Sequence, residues 1–89
     1  MRNLMMNKIF TRTAWEEYQF WQNENRQILK RINELIRDIE RNGNLGIGKP
    51  EPLRHELSGY WSRKINSEHR LIYSIERENI NIISCRGHY

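Results

Sequence analysis

The stretch NRQILKRINELIRDIERNG, residues 25–43, decides the architecture. Ile28, Ile32, Leu35, Ile36 and Ile39, with Leu29 beside them, recur at helical spacing and leave the charged residues on the other face. Asn25 is a suitable N-cap and Gly43 a left-handed C-terminal stop, so the spacing predicts a helix from Arg26 to about Asn42. Upstream, Ala14, Tyr18 and Trp21 fall at i, i+4 and i+7 with Trp15 alongside, which predicts a helix from Arg12 with Thr11 as its cap. Asn23 to Asn25 separates the two. Before them, Ile9-Phe10 within Asn7–Thr11 suits a brief first strand. After Gly43 the period changes. Residues 43–56 read as a Gly/Pro-rich loop, and Leu57–Ile65, Arg70–Ile75 and Ile80–Arg86 as short strands joined by the turns Asn66-Ser67-Glu68 and Glu76–Asn79. Turns this short imply antiparallel neighbours. The expected fold is therefore α+β: a short N-terminal strand and two helices packed on an antiparallel sheet.

The 89 residues suit one domain, which residues 6–89 would form, with 1–5 as an N-terminal extension. Three Met within the first six positions leave the start codon open. A chain of this size buries about two-thirds of its unfolded surface, too little for a deep cofactor cavity. No apolar run approaches the roughly 20 residues of a membrane span. Lys plus Arg number 15 against 11 Asp plus Glu, a net +4 shared by both halves of the chain, so charge alone favours nucleic acid only weakly. The single cysteine, Cys85, rules out an internal disulfide framework and fits a reducing cytoplasm.

Several motifs carry no chemistry. Gly43, Gly48 and Lys49 imitate a phosphate-binding loop, but Pro50 replaces the magnesium-holding hydroxyl and the segment follows a helix rather than a strand. Trp15, Tyr18 and Trp21 are spaced as core residues rather than as a base-stacking platform. Cys85 and His88 point to opposite faces of an extended strand, which favours a small buried thiol over a nucleophile with its base. His55, His69 and His88 have no metal-ligand spacing, so neither a metal nor a cofactor is expected.

Glu51, Arg70 and His88 are different. Glu51 stands between Pro50 and Pro52, each of which restricts the backbone. That makes it either a solvated carboxylate on a rigid turn or a pre-positioned general base. Arg70 opens a strand after a turn, where it either pairs with Glu68 or Glu56 or faces a cleft. His88 and Tyr89 end the chain directly after a strand, either frayed or held at the sheet edge. Cleavage of RNA without metal needs a base for the 2′-hydroxyl, an acid for the 5′-oxygen and a cation at the phosphate, roles that Glu51, His88 and Arg70 can fill in that order. Lys49, Arg54, Arg63, Lys64 and Arg86 lie near them in sequence and can hold phosphates.

Gly48-Lys49-Pro50-Glu51-Pro52-Leu53, Leu57-Ser58-Gly59-Tyr60-Trp61-Ser62-Arg63, Glu68-His69-Arg70-Leu71-Ile72-Tyr73 and His88-Tyr89, with Trp21-Gln22 and Lys30–Ile36 in the helices, resemble the YoeB (Txe) toxins. These are a branch of the RelE-like mRNA interferases of bacterial toxin–antitoxin systems, and the resemblance covers about residues 6–89. It implies a RelE-like microbial RNase fold and a ribosome-dependent endoribonuclease that cuts mRNA in the A site. By motif match, Glu51 is the base, His88 the acid, Arg70 the phosphate stabiliser, and Tyr89 helps to position substrate. Arg54-His55 resembles the family's basic–His pair. Lys64 stands where members often carry Arg, which keeps the charge and loses the planar fork. Gly87 stands where they often carry Tyr, which loosens the tail. The implied partners are a YefM-like antitoxin, the 70S ribosome and mRNA, with a homodimer left open. The competing function is a non-catalytic RNA- or ribosome-binding module, a degenerate toxin. A helix-turn-helix repressor fits poorly, because the second helix is long, strongly apolar on one face and preceded by a turn without Gly.

Overall fold

A computed structural model describes residues 5–88, so Tyr89 and the first four residues of the extension lie outside the described residues. Strand β1 spans Asn7–Phe10, helix α1 Arg12–Glu24 and helix α2 Arg26–Asn42. Thr11 caps α1 by accepting from the Ala14 amide, and Asn25 caps α2 by accepting from the amides of Gln27 and Ile28. Gly43 ends α2 at φ 64°, its N–H donating to Ile39. Then follow β2 (Glu51–Pro52), a 3-10 turn (His55–Leu57), β3 (Trp61–Lys64), β4 (Arg70–Glu76) and β5 (Asn79–Ser84). They form one five-stranded sheet in the order β1-β5-β4-β3-β2.

Three features of the strands differ from the sequence reading. The sheet is mixed: β2 to β5 pair antiparallel, but β1 runs parallel to β5. Short turns fix the direction only of consecutive strands, and both helices and three strands separate β1 from β5. Leu57 belongs to the 3-10 turn, where the amides of Leu57, Ser58 and Tyr60 bond locally to Arg54, His55 and Leu57 and are unavailable to a ladder. Finally, Glu51-Pro52 is an edge strand rather than loop, paired with Ser62 and Trp61. An edge tolerates proline because one side of the strand needs no N–H donor.

The helices cover one face of the sheet. From α2, Ile32, Leu35, Ile36 and Ile39 are buried, with Ile28 and Leu29 partly so. Each full burial of such a side chain is worth about 1.5–3 kcal/mol. From α1 only Ala14 and Trp21 are buried. Trp15, expected in the core, is 47% exposed: it lies outside this narrow face and stacks on Tyr18 with ring centroids 5.7 Å apart. The sheet contributes Leu71, Tyr73, Ile80, Ile82 and, just past β5, Cys85. Cys85 is the small buried thiol expected. Burial, with the nearby Glu17 charge, pushes its pKa up to about 12, which keeps it protonated and unreactive.

Arg63 corrects the sequence reading most sharply. It was assigned to phosphate and is fully buried. Its Nε donates to the Tyr73 hydroxyl, one terminal nitrogen donates to Asp38 and the Ile47 carbonyl, and the other to the Gly43 and Leu45 carbonyls. All five guanidinium N–H donors are thus committed. Arg63 stands between Ser62 and Lys64 on β3, and strand alternation turns it to the helix side. Gly48 closes the same loop. Its carbonyl accepts from the Lys64 amide at 2.7 Å, and a Cβ there would come within 2.7 Å of a Leu35 methyl at a φ of +80°. A second polar tie joins Glu40 of α2 to the Met6 amide and the Lys8 ammonium of the first strand region.

Burial opposes ionisation of Asp38 and Glu40, yet their partners outweigh it. Arg63, the Ile47 amide and Asn42 hold Asp38 below the ordinary carboxylate value, and Lys8, the Met6 amide and the Arg37 charge do the same for Glu40. A carboxyl whose pKa is lower folded than unfolded stabilises the fold above its unfolded value and loses that contribution as pH falls. Thermal melts should therefore show a contribution from these groups that is flat above pH about 5 and declines below about 4, with a shallower decline in Asp38→Asn. Arg63→Met should cost about 3 kcal/mol in urea unfolding, because the part-buried Asp38 loses its cation and three carbonyls lose their donors.

Candidate active site

The sheet face away from the helices carries the polar residues. Opposed positions in an antiparallel pair share a face, and Glu51 opposes Ser62 while Lys64 opposes Arg70. These four residues, with Lys49 and Pro50, line a cleft of about 360 Å³. The fold thus brings one carboxylate, Glu51, together with three cations, Lys49, Lys64 and Arg70. Lys49 has a φ of 52°, unusual for a residue with a side chain, and it follows the loop closed by Gly48. Glu51 is exposed on its edge strand, while Lys64 and Arg70 are half-buried. The Arg70 guanidinium donates to the Asn66 and His69 carbonyls at 2.9 and 3.2 Å, rather than pairing with Glu68 or Glu56. Those neutral acceptors orient the side chain, and among the described residues its guanidinium forms no salt bridge with a carboxylate.

The chain returns to this place at its end. After β5, the Gly87 carbonyl accepts from the Arg70 amide at 2.9 Å, so the chain passes the Arg70 end of the cleft one residue before the exposed His88, which is not among the residues that line it. The looseness expected of a glycine at position 87 is thereby offset. Its φ of +88° is one that a side chain would strain, although the space around it is open.

The remaining phosphate candidates scatter. Arg54 lines a neighbouring hollow of about 460 Å³ with Glu51, Pro52 and Leu53, so it extends the cleft along β2. His55 is exposed on the 3-10 turn at a φ of 59° and lines neither hollow. Arg86 lies over the Phe20 ring, 3.7 Å from its centroid, and so is bound to α1 instead. Arg63 serves the core. The sequence reading missed Ser62, which alternates with Lys64 on one strand and was recoverable from that period. It also missed His69, whose Nδ1 accepts from the Gly87 amide at 2.9 Å, a contact between segments 18 residues apart with no local signal.

A cleft with one carboxylate among three cations is suited to a phosphodiester: the cations bind the anion and the carboxylate can take a proton. Comparison with known proteins agrees on the fold and the family. The family model for a YoeB-like toxin of bacterial type II toxin–antitoxin systems matches residues 10–89. The chain is 55% identical over 84 residues to the YoeB toxin of Synechocystis, covering 94% of this chain and 98% of that one. It superposes on a YoeB dimer from Staphylococcus aureus with a TM-score of 0.91 at 46% identity, covering 96% of this chain and 99% of that one. It also superposes on the toxin of a YoeB–YefM complex from the same organism, with a TM-score of 0.89 at 48% identity over 94% of this chain and 98% of that one. Fold, near-complete coverage and identity of this order together establish that the chain belongs to the YoeB-like toxins of bacterial type II toxin–antitoxin systems.

Proposed function

We propose that this toxin is a ribosome-dependent endoribonuclease that cuts mRNA in the A site and so arrests translation. The observation that carries the reading is the convergence of Glu51, Lys49, Lys64 and Arg70 in one cleft, with the His88 backbone delivered to its Arg70 end. Glu51 removes the 2′-hydroxyl proton, and that oxygen attacks the adjacent phosphorus. Arg70, with Lys49 and Lys64, stabilises the added charge on the phosphoryl oxygens. As the bond to the 5′-oxygen breaks, His88 supplies its proton. The products are a 2′,3′-cyclic phosphate and a free 5′-hydroxyl, and the three roles are filled by side chains alone. Tyr89 would assist in positioning substrate, and Arg54 would hold a flanking phosphate.

The substrate is met on the 70S ribosome in the cytoplasm, and the activity calls for an antitoxin. The complex of a similar Staphylococcus aureus toxin with YefM supports a YefM-like partner, and the dimer of a similar toxin supports self-association. An acidic antitoxin segment that folds on binding would complement the cationic cleft.

On programmed ribosomes, Glu51→Gln, Arg70→Ala and His88→Ala should each slow cleavage by about 10²–10⁴-fold with melting close to that of the parent. Undiminished cleavage in all three would reject these roles, whereas ribosome binding without cleavage by the parent protein would leave a non-catalytic ribosome-binding module. A 2′-deoxy sugar at the scissile nucleotide should abolish the reaction, and mass analysis of the upstream fragment should find the cyclic phosphate. Co-expression with its cognate antitoxin should restore growth. Ribosome pelleting of the complex then tests whether the antitoxin blocks access.

A further inference from the structure

We propose that His69 is a positioning residue for the reaction, because it fixes through Nδ1 the backbone that presents His88. The inference rests on the role of His88 as the acid. Both hydrogen-bonding groups of Gly87 go to consecutive residues at the start of β4: its N–H to His69 Nδ1 and its carbonyl to the Arg70 amide, each at 2.9 Å. A single peptide unit is therefore held on both sides, one residue before His88. The second of these bonds uses the backbone of Arg70, so the acid and the phosphate-stabilising cation are tied to each other across Gly87.

The imidazole that makes the first bond is itself immobilised. His69 is buried and meets the Trp21 ring edge-on at 4.7 Å between centroids. The Trp21 indole N–H donates to the Cys85 carbonyl, which fixes the same tail two residues earlier. Asn66 Oδ1 accepts from the His69 amide at 2.7 Å, and the His69 carbonyl accepts from Ile65 and Asn66. Because an amide donates to Nδ1, that nitrogen carries the lone pair and the ring proton sits on Nε2, which is 3.7 Å from Glu68 Oε1. His69 is buried with Nδ1 occupied, so it acts on the tail and not on substrate.

The placement matters because a displacement of about 1 Å at a reacting group costs on the order of 10²-fold in rate. His69→Phe keeps the ring against Trp21 and removes the acceptor. His69→Asn sets an amide oxygen close to the place of Nδ1, whereas His69→Gln carries its oxygen further out, near the place of Nε2. Single-turnover cleavage on programmed ribosomes, across toxin concentrations, separates rate from binding, and amide hydrogen exchange at Gly87 reads the clamp directly. We expect His69→Phe and His69→Gln to lower the cleavage rate about 10- to 100-fold at nearly unchanged half-saturation, with faster Gly87 exchange, and His69→Asn to recover most of both. Parental cleavage and Gly87 exchange in His69→Phe, or His69→Asn no better than His69→Gln, overturns the proposal. His88→Ala run alongside separates the two readings. If it cleaves normally, the acid role fails and with it the positioning claim, while Gly87 exchange still reports the clamp. If it is inactive and His69→Phe is not impaired, the positioning claim alone fails.

Discussion

The structure depends on one buried cation. Arg63 has five N–H donors and uses each of them on a different acceptor: Asp38 on α2, three carbonyls of the segment after α2, and the Tyr73 hydroxyl on β4. A buried guanidinium is costly unless its charge and every donor are satisfied. Here that requirement determines the course of residues 43–47, whose apolar side chains, Leu45 and Ile47, stay exposed and do little to hold them. Burial raises the pKa of Tyr73 against the opposing effect of Arg63, with the Asp38 charge adding to the rise, so the phenol stays neutral and donates onward to Asn44. Helix end, loop and sheet are joined in one polar network beside the apolar core.

The cleft inherits its geometry from that network. The loop leaves Ile47 bonded to Arg63, passes Gly48 against Leu35 and the Lys64 amide, and enters β2 with Lys49, Pro50 and Glu51 already aimed. Strand β3 serves both sides of the sheet at consecutive positions, with Arg63 in the core and Ser62 and Lys64 in the cleft. A change at Arg63 would therefore reach the cleft from the core side, which distinguishes it from the neighbouring cations that line the cleft. The chain end next to Arg70 is held separately. Glu17 accepts from the Cys85 amide, Trp21 donates to its carbonyl, and Arg86 lies on Phe20, so α1 holds the tail that carries His88.

The sheet edges have separate uses. Strand β2 is short, contains proline and borders the cleft. Strand β1 pairs with β5 on one side only, carries the exposed side chain of Ile9 and borders the exposed ring of Trp15. Trp15, Tyr18 and Phe10 form an aromatic cluster on that side, away from the cationic cleft. The aromatic cluster and the cationic cleft thus lie at opposite edges of the sheet.

Local information in the chain was enough for the helices. The caps at Thr11 and Asn25, the stop at Gly43 and the stripe from Ile32 to Ile39 depend on residues within a turn or two, and all are where their spacing places them. Glu51 and Arg70 were legible as unusual polar residues at loop and strand ends, and the needs of metal-free RNA cleavage suggested their partnership, which the family resemblance also implied. Tertiary structure alone decided the parallel pairing of β1 with β5, the exposure of Trp15, the burial of Arg63 amid basic neighbours, and the contact of His69 with Gly87. The physical reason is range. Helical periodicity and capping are set by bonds between near neighbours, whereas the duty of a cation or an imidazole depends on which acceptors and donors the folded chain brings to it. Arg63 and Lys64 are adjacent and alike in charge, and only the side of the sheet to which each is turned makes one a core tie and the other part of the cleft.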